Sequence, residues 1–176
     1  MRKLLALAFF LCFLVCFGCT NEPKGVKDLT GYIIFTSPTS ENILVSEKES
    51  SSDIPLASSY YIFEDTVIEG TSGKKYSPED FSLGMLVDAY HTGEVRESYP
   101  PQSDVTTILI HDDEASLETA KALSIALKTL DSMSQWLVVS VNHVTSDLYE
   151  IQLVELMGSE QPITLKVDLK TEQVIE

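Results

Sequence analysis

The sequence predicts an α+β protein, and three observations lead to this class. Short β-branched and aromatic runs separated by turn residues occupy the first half of the folded part. A segment without glycine or proline, residues 111–133, then repeats apolar residues at helical spacing. Further apolar runs with strand character follow it. We therefore expect a small antiparallel β-barrel followed by a helix and an antiparallel three-stranded meander.

The chain begins with a segment that resembles a bacterial lipoprotein signal. Two basic residues precede an uncharged apolar run, Leu4 to Phe17, whose 14 residues are fewer than the ~20 that span a bilayer. Gly18 and Cys19 follow, and a small residue before a cysteine resembles a lipobox. We expect residues 1–18 to be a signal peptide and Cys19 to carry a diacylglyceryl lipid. The alternative is an ordinary secretory signal in which Cys19 is incidental.

A lipid on Cys19 would place the protein on the outer face of the cytoplasmic membrane, because two or more acyl chains anchor a protein firmly. Residues 19–29 lack periodic apolar residues and are predicted to be this cysteine and a flexible tether. All three cysteines lie at or before position 19. The folded part therefore contains no disulfide and no cysteine-ligated metal.

The folded part is strongly acidic. The whole chain has a net charge of −15, and removal of the signal with its two basic residues changes this to −17. Such a charge repels nucleic acid and anionic headgroups, so we expect no nucleic-acid partner. The same charge suits cations, basic peptides or cationic wall polymers, but we favour the interpretation that it keeps the protein soluble at a crowded membrane surface.

Residues 30–112 are predicted to form the barrel. Thr92 and Gly93 are expected to make a tight connection within it, because glycine supplies a positive φ at little cost. The number and spacing of the strands favour an OB-like barrel. The predicted strands are 31–35, 42–46, 58–63, 66–69, 85–91, 94–98 and 104–110.

Several short elements of this region recur in the order found in a known family. They are a Gly-Tyr-Ile start at 31–33, an Ile-Leu-Val strand at 43–45 and the segment Ser-Tyr-Pro-Pro-Gln at 98–102. Together they resemble a domain-of-unknown-function family found in lipoproteins of Bacillus-type bacteria, over residues 30–112. The resemblance implies a lipidated N-terminus and an extracytoplasmic location, and it transfers no catalytic residue.

The segment 98–102 also contains the candidate ligand-facing residues. Pro100 restricts Tyr99 to an extended conformation, and Pro101 restricts Pro100 in the same way. Tyr99 beside Gln102 can form an aromatic and amide pair that faces a ligand. The alternative, which we favour, is a buried Tyr99 that braces a barrel corner.

Residues 113–176 are predicted to be a small α+β domain. Acidic residues at the start of the helix, or Ser116, are expected to cap it, and the following strands are predicted at 136–144, 148–156 and 163–169. The runs Tyr-Glu-Ile at 149–151 and Val-Asp-Leu-Lys-Thr at 167–171 resemble a PepSY-type domain, although Glu172 stands where glycine is usual. This resemblance implies a protein-binding module and a proposed role in peptidase regulation. A generic helix-plus-sheet domain is the alternative.

The polar residues give little support to an enzyme. His91, His111 and His143 fall in different elements without the spacing of metal ligands, so we predict no metal and no cofactor. A triad of Asp88, His91 and Ser98 is excluded, because residues three apart on a strand lie on opposite faces. The acids at 112–114 are interpreted as helix caps rather than as a calcium site.

We therefore predict a non-catalytic binding or regulatory module at the cell envelope, whose partner is an envelope protein or peptide. The alternative is a cell-envelope hydrolase or a cation-binding protein. It would be favoured if His91, His143 and several acids shared one pocket.

Overall fold

The computed structural model describes residues 23–50, 54–131, 134–159 and 161–175, so the predicted signal peptide and Cys19 lie outside the described residues. The described strands are β1 (Val26–Thr36), β2 (Asn42–Glu47), β3 (Ala57–Tyr61), β4 (Val67–Gly70), β5 (Leu86–Arg96), β6 (Gln102–Ile110), β7 (Trp136–Thr145), β8 (Leu148–Glu155), β9 (Ile163–Asp168) and β10 (Gln173–Ile175). The α-helix is α1 (Glu114–Thr129), and a 3₁₀ turn covers Pro78–Asp80.

The strands β1 to β6 form a sheet that closes on itself like a ring. Their order is β3-β2-β1-β5-β6-β4, and an additional pairing of β3 with β6 closes the ring. This pairing is parallel, with Ser59 opposite Gln102. The strand β4 is also parallel to β6 and pairs with its second half, where Val67 lies opposite Thr107. The same edge of β6 therefore pairs with β3 along its first half and with β4 along its second half.

The alternation of side chains along these strands divides the ring into an inner and an outer apolar surface. On β1, Ile33 belongs to the core inside the ring, whereas Tyr32 and Ile34 belong to a second core outside it. The inner core also contains Ile43, Val45, Tyr60, Val87, Ile108 and Ile110, all of them buried. Strand alternation thus places neighbouring residues of one strand in two different cores.

The second sheet, with the order β10-β9-β8-β7, and α1 complete the outer core. Leu123 and Ala126 of α1 are fully buried in the same cluster as Tyr32, Leu44 and Leu86 of the ring. A buried hydrogen bond also joins the two sheets, because the backbone N–H of Val138 donates to the hydroxyl of Ser46 at 2.9 Å. The ring and the second sheet therefore share one apolar core.

The predicted fold class is wrong. Within the described residues the chain is mostly β, with one helix and two sheets, rather than α+β. The OB-like antiparallel barrel is replaced by a six-stranded ring in which β6 has two parallel partners. The three-stranded meander is replaced by a four-stranded antiparallel sheet, because residues 173–175 add a strand against β9. Local patterns in the sequence do not contain the long-range pairing that closes the ring, whereas β10 was missed because it has only three residues.

Two local predictions also need correction. The tight connection at Thr92 and Gly93 is not a turn: β5 continues through it to Arg96, and Gly93 adopts φ 104° within an irregular stretch of the ladder. Positive φ at a glycine fits such an irregularity as well as it fits a turn. The tether was predicted to extend to residue 29, but β1 begins at Val26.

The start of α1 agrees with the sequence prediction. Asp113 is the N-cap residue, and its side chain accepts a hydrogen bond from the backbone N–H of Ser116 at 3.0 Å. This confirms that an aspartate at this position caps the helix, but the interpretation is wrong for Asp112, which accepts its hydrogen bonds from Thr71, Ser72 and Tyr76 instead. No helix in the described ranges is long and apolar enough to cross a membrane.

Candidate functional site

The two predicted ligand-facing residues lie near each other in the chain but serve different surfaces. Tyr99 lies in the connection from β5 to β6, next to a cis peptide bond to Pro100, and 68% of its surface is exposed. Gln102 begins β6, and its side-chain oxygen accepts a hydrogen bond from the hydroxyl of Tyr61 at 3.2 Å. The structure therefore does not form the aromatic and amide pair. The alternative of a buried Tyr99 is also wrong.

Tyr99 lines an apolar groove of about 540 Å³, called here the Tyr99 groove. Two other side chains at this groove are more than half exposed, Leu56 at 61% and Val95 at 53%. Leu56 precedes β3 and Val95 lies near the end of β5, so three separate segments present apolar side chains to one surface. The other apolar lining residues are Leu29, Ile54, Pro55, Ala57, Pro100, Pro101 and Leu156.

One carboxylate, that of Asp28, lies among the lining residues of the Tyr99 groove. It accepts a hydrogen bond from the hydroxyl of the buried Tyr60 at 2.7 Å. Burial, followed by this hydrogen bond and the charge of Asp28, raises the pKa of Tyr60 far above its ordinary value. Tyr60 therefore keeps its proton and holds Asp28 at the wall of the groove. This pair stabilises the site and provides no proton for chemistry at neutral pH.

Most residues that line the groove lie in the part of the chain for which a family is found, whereas Asp28, Leu29 and Leu156 lie outside it. Residues 30–112 match the family model DUF3221, described as a protein of unknown function. This confirms the predicted resemblance of that segment to a domain-of-unknown-function family. No curated protein and no solved structure matches the chain. The DUF3221 segment runs from β1 to the residue before the N-cap of α1, and it contains Leu56, Val95 and Tyr99.

The largely buried Asp88 of the DUF3221 segment is the centre of an ionic cluster that also includes Lys27, just before this segment. The Asp88 carboxylate lies 3.0 Å from the ammonium group of Lys27 and 3.4 Å from Nε2 of His111, and it accepts a hydrogen bond from the hydroxyl of Thr30. Desolvation, the largest single effect, acts to raise the pKa of Asp88. The hydrogen bonds from Thr30 and Lys27, together with the nearby positive charges, outweigh it and hold this pKa below its ordinary value.

The Asp88 cluster has the features of a structural ion pair. The hydroxyl of Thr30 donates its hydrogen to the Asp88 carboxylate and so stabilises the negative charge of that carboxylate. His91 instead uses Nδ1 to accept the backbone N–H of Gly93 at 2.9 Å, while the ring of His143 stacks on Tyr149 in the second sheet. The hydroxyl of Ser98 donates to the backbone carbonyl of Pro100 at 2.7 Å, so the three residues of the rejected triad take part in separate contacts.

Asp112 organises the loop at the end of β4. It accepts hydrogen bonds from the hydroxyls of Thr71 and Tyr76 and from both the backbone and the hydroxyl of Ser72. Desolvation acts most strongly to raise the pKa of Asp112, but these combined bonds lower it to about 2. Within the described ranges, no group of three or more histidine, cysteine, aspartate or glutamate residues is placed to hold a metal ion.

Sequence reasoning missed Leu56 and Val95 as members of the candidate site. The sequence did contain a signal for Val95. It lies between Glu94 and Arg96 in a charged stretch, where an apolar side chain is expected to be exposed. Leu56 gave a weaker signal, since it follows Pro55 at the end of a polar loop. Exposed apolar residues of this kind become informative only when the fold gathers them into one patch.

Proposed function

We propose that the protein is a lipid-anchored, extracytoplasmic binding or regulatory module without catalytic activity, and that the Tyr99 groove receives an apolar segment of an envelope protein or peptide. The observation that carries this proposal is the convergence of Leu56, Val95 and Tyr99, each more than half exposed, on one apolar groove. Monomeric proteins rarely leave apolar side chains clustered in this way unless the surface binds something.

The chemistry of the groove favours binding over catalysis. Its walls are apolar side chains and three prolines, and its carboxylate is engaged by Tyr60. A tyrosine suits the centre of a protein interface, because its ring offers a large contact area and its hydroxyl tolerates partial exposure. The three prolines stiffen the backbone of the groove, so less conformational entropy of this backbone is lost when a partner binds.

The location is proposed from the N-terminal sequence. Six residues lie between Cys19 and Val26, the first residue of β1, so a lipid on Cys19 would keep the start of β1 within ~25 Å of the membrane surface. The resemblance of residues 113–176 to a PepSY-type domain supports the same kind of role. We therefore place the partner among proteins that reach the outer face of the cytoplasmic membrane.

Photo-crosslinking of the full-length protein in its native cells tests the binding role. A photoreactive phenylalanine analogue at position 95 is expected to capture one envelope protein, and Tyr99→Ser is expected to abolish that capture. Leu117→Ser, on the exposed face of α1, is the matched control and is expected to leave it unchanged. Equal capture with and without Tyr99→Ser would overturn the proposed groove.

The anchor is tested separately. Labelled palmitate is expected to enter the natural protein and not the Cys19→Ala variant, which should leave the membrane fraction. Incorporation of label into Cys19→Ala would disprove lipidation at that residue, whatever the outcome of the crosslinking.

A further inference from the structure

A second surface cavity lies at the opposite end of β3 from the Tyr99 groove. It has a volume of about 510 Å³ and is called here the Phe63 cavity. Three segments that are distant in the sequence form it: the turn between β1 and β2, the residues that follow β3, and the 3₁₀ turn. Each segment contributes one carboxylate, namely Glu41, Glu64 and Glu79, and none of the lining residues is basic.

Two aromatic rings form part of the same wall. Phe63 is 51% exposed and Tyr61 is 37% exposed. The face of an aromatic ring attracts cations. Tyr61 already shows this property, because the guanidinium group of Arg96 lies 5.2 Å from its ring centroid while pairing with Asp104 at 2.6 Å. One ring of the aromatic wall thus already contacts a guanidinium group of the same protein.

Local hydrogen bonds position part of this acidic wall. Glu41 accepts a hydrogen bond from the hydroxyl of Thr39 at 3.0 Å, and its backbone carbonyl accepts the N–H of Ile62 at 2.9 Å. The second bond ties the turn to the segment that carries Phe63. The 3₁₀ turn that carries Glu79 is held by Asp80, which accepts hydrogen bonds from the backbone N–H and the hydroxyl of Ser77. Two of the three carboxylates thus lie on locally braced segments.

The spacing of these carboxylates argues against a bare metal ion. Among the described residues, no three acidic, histidine or cysteine side chains lie close enough together to coordinate a metal ion, and this includes Glu41, Glu64 and Glu79. An organic cation needs no such close convergence, since it can lie over a ring and meet carboxylates around its edge.

We infer that the Phe63 cavity docks a lysine- or arginine-bearing segment of a partner protein. Charge complementarity selects this occupant, because three carboxylates surround an aromatic wall on a chain whose net charge is −15. The side chain enters over Phe63, and its cationic group pairs with Glu64 and Glu79. This site is separate from the Tyr99 groove and does not depend on the function proposed for it.

Fluorescence anisotropy with the full chain and a labelled peptide of alternating arginine and glycine tests the inference. We expect saturable binding that weakens as salt is raised, and no binding of the matching glutamate peptide. Phe63→Leu keeps an apolar side chain but removes the aromatic face, and we expect it to weaken binding about fivefold. The double variant Glu64→Gln with Glu79→Gln should weaken binding about tenfold.

The matched control is the double variant Glu114→Gln with Glu118→Gln, which makes the same charge change on the exposed face of α1, a helix that contributes no residue to the cavity wall. It should weaken binding less than about twofold. An equal loss in both double variants would show that only net charge attracts the peptide and would overturn the inference. Absence of binding, or displacement of the peptide by calcium at equal concentration, would overturn it too. Thermal melting of each variant verifies that its fold is retained.

Discussion

The carboxylate of Asp88 lies 3.4 Å from Nε2 of His111, so β5 is linked through side chains to the residue that follows β6. The backbone repeats this link, because the N–H of His111 donates to the carbonyl of Leu86 at 2.9 Å. Lys27 on β1 completes the cluster at 3.0 Å from Asp88. One buried carboxylate thus connects three parts of the ring just before the chain enters α1.

Asp88→Asn is expected to lower the free energy of unfolding by about 2 kcal/mol at pH 7, because a neutral amide weakens the charge-assisted hydrogen bonds that Thr30 and Lys27 donate to this largely buried side chain. The pKa of Asp88 is lower in the folded state than its ordinary value. The stabilisation is therefore present above pH ~4 and is lost as the pH falls through the folded pKa. Urea denaturation of both proteins at pH 7 and at pH 3 measures the difference, which should shrink at the lower pH.

Asp104→Asn is the control for this prediction. It breaks the more exposed pair with Arg96, whose cost should stay below about 1 kcal/mol. If the two variants lose the same stability, the Asp88 cluster is not the stronger link that its burial indicates.

Asp112 should be the carboxylate that controls the loop after β4. Its pKa of about 2 means that the hydrogen bonds from Thr71 and Ser72 persist above pH ~4 and fail as the pH falls through about 2. An NMR titration of the Ser72 amide should therefore show a midpoint near 2, and Asp112→Asn should abolish that titration. A midpoint close to 4, the ordinary value for aspartate, would contradict this account.

The elements that the sequence predicted well are those with strong local patterns. The apolar, β-branched runs of β2, β6 and β8 were placed within two residues of their observed bounds, because their side chains enter one core or both. The run of β1 was also recognised, but the strand begins five residues earlier than predicted. The helix was recognised from its apolar spacing, and its N-cap from the acids at its start.

What the sequence did not reveal depends on contacts between distant residues. The parallel pairing of Ser59 with Gln102 has no local signature, and neither has the approach of His111 to Asp88. The candidate site was found only in part for the same reason. Tyr99 was identified from its prolines, whereas its neighbours in the groove come from a different loop and strand.

Gly84 is expected to control the packing of α1 on the ring. It adopts φ 86°, and a Cβ atom there would lie 2.3 Å from the backbone carbonyl oxygen of Ala120. Gly84→Ala should therefore cost about 3 kcal/mol, the sum of left-handed strain and a clash with a helix backbone that cannot easily yield. Denaturant unfolding measures this cost.

Gly73→Ala is the matched control for Gly84→Ala. Gly73 has a similar φ of 85°, but nothing lies within 4 Å of an added Cβ atom. Its cost should be limited to the left-handed strain of about 1 kcal/mol. Equal costs for the two variants would mean that α1 moves away from the ring without loss, which would contradict the shared core.

Glu172 offers a test of backbone strain at the last turn. It adopts φ 55°, in the left-handed region that favours glycine, and its side chain pairs with Lys121 of α1 at 2.6 Å. Because this pair is exposed, its loss should change the stability little. Glu172→Gly and Glu172→Ala both remove the pair, but only glycine relieves the strain. We expect the glycine variant to be more stable than the alanine variant by about 1 kcal/mol in thermal or urea unfolding. Equal stability of the two variants would show that the turn between β9 and β10 rearranges at no cost when the side chain is shortened.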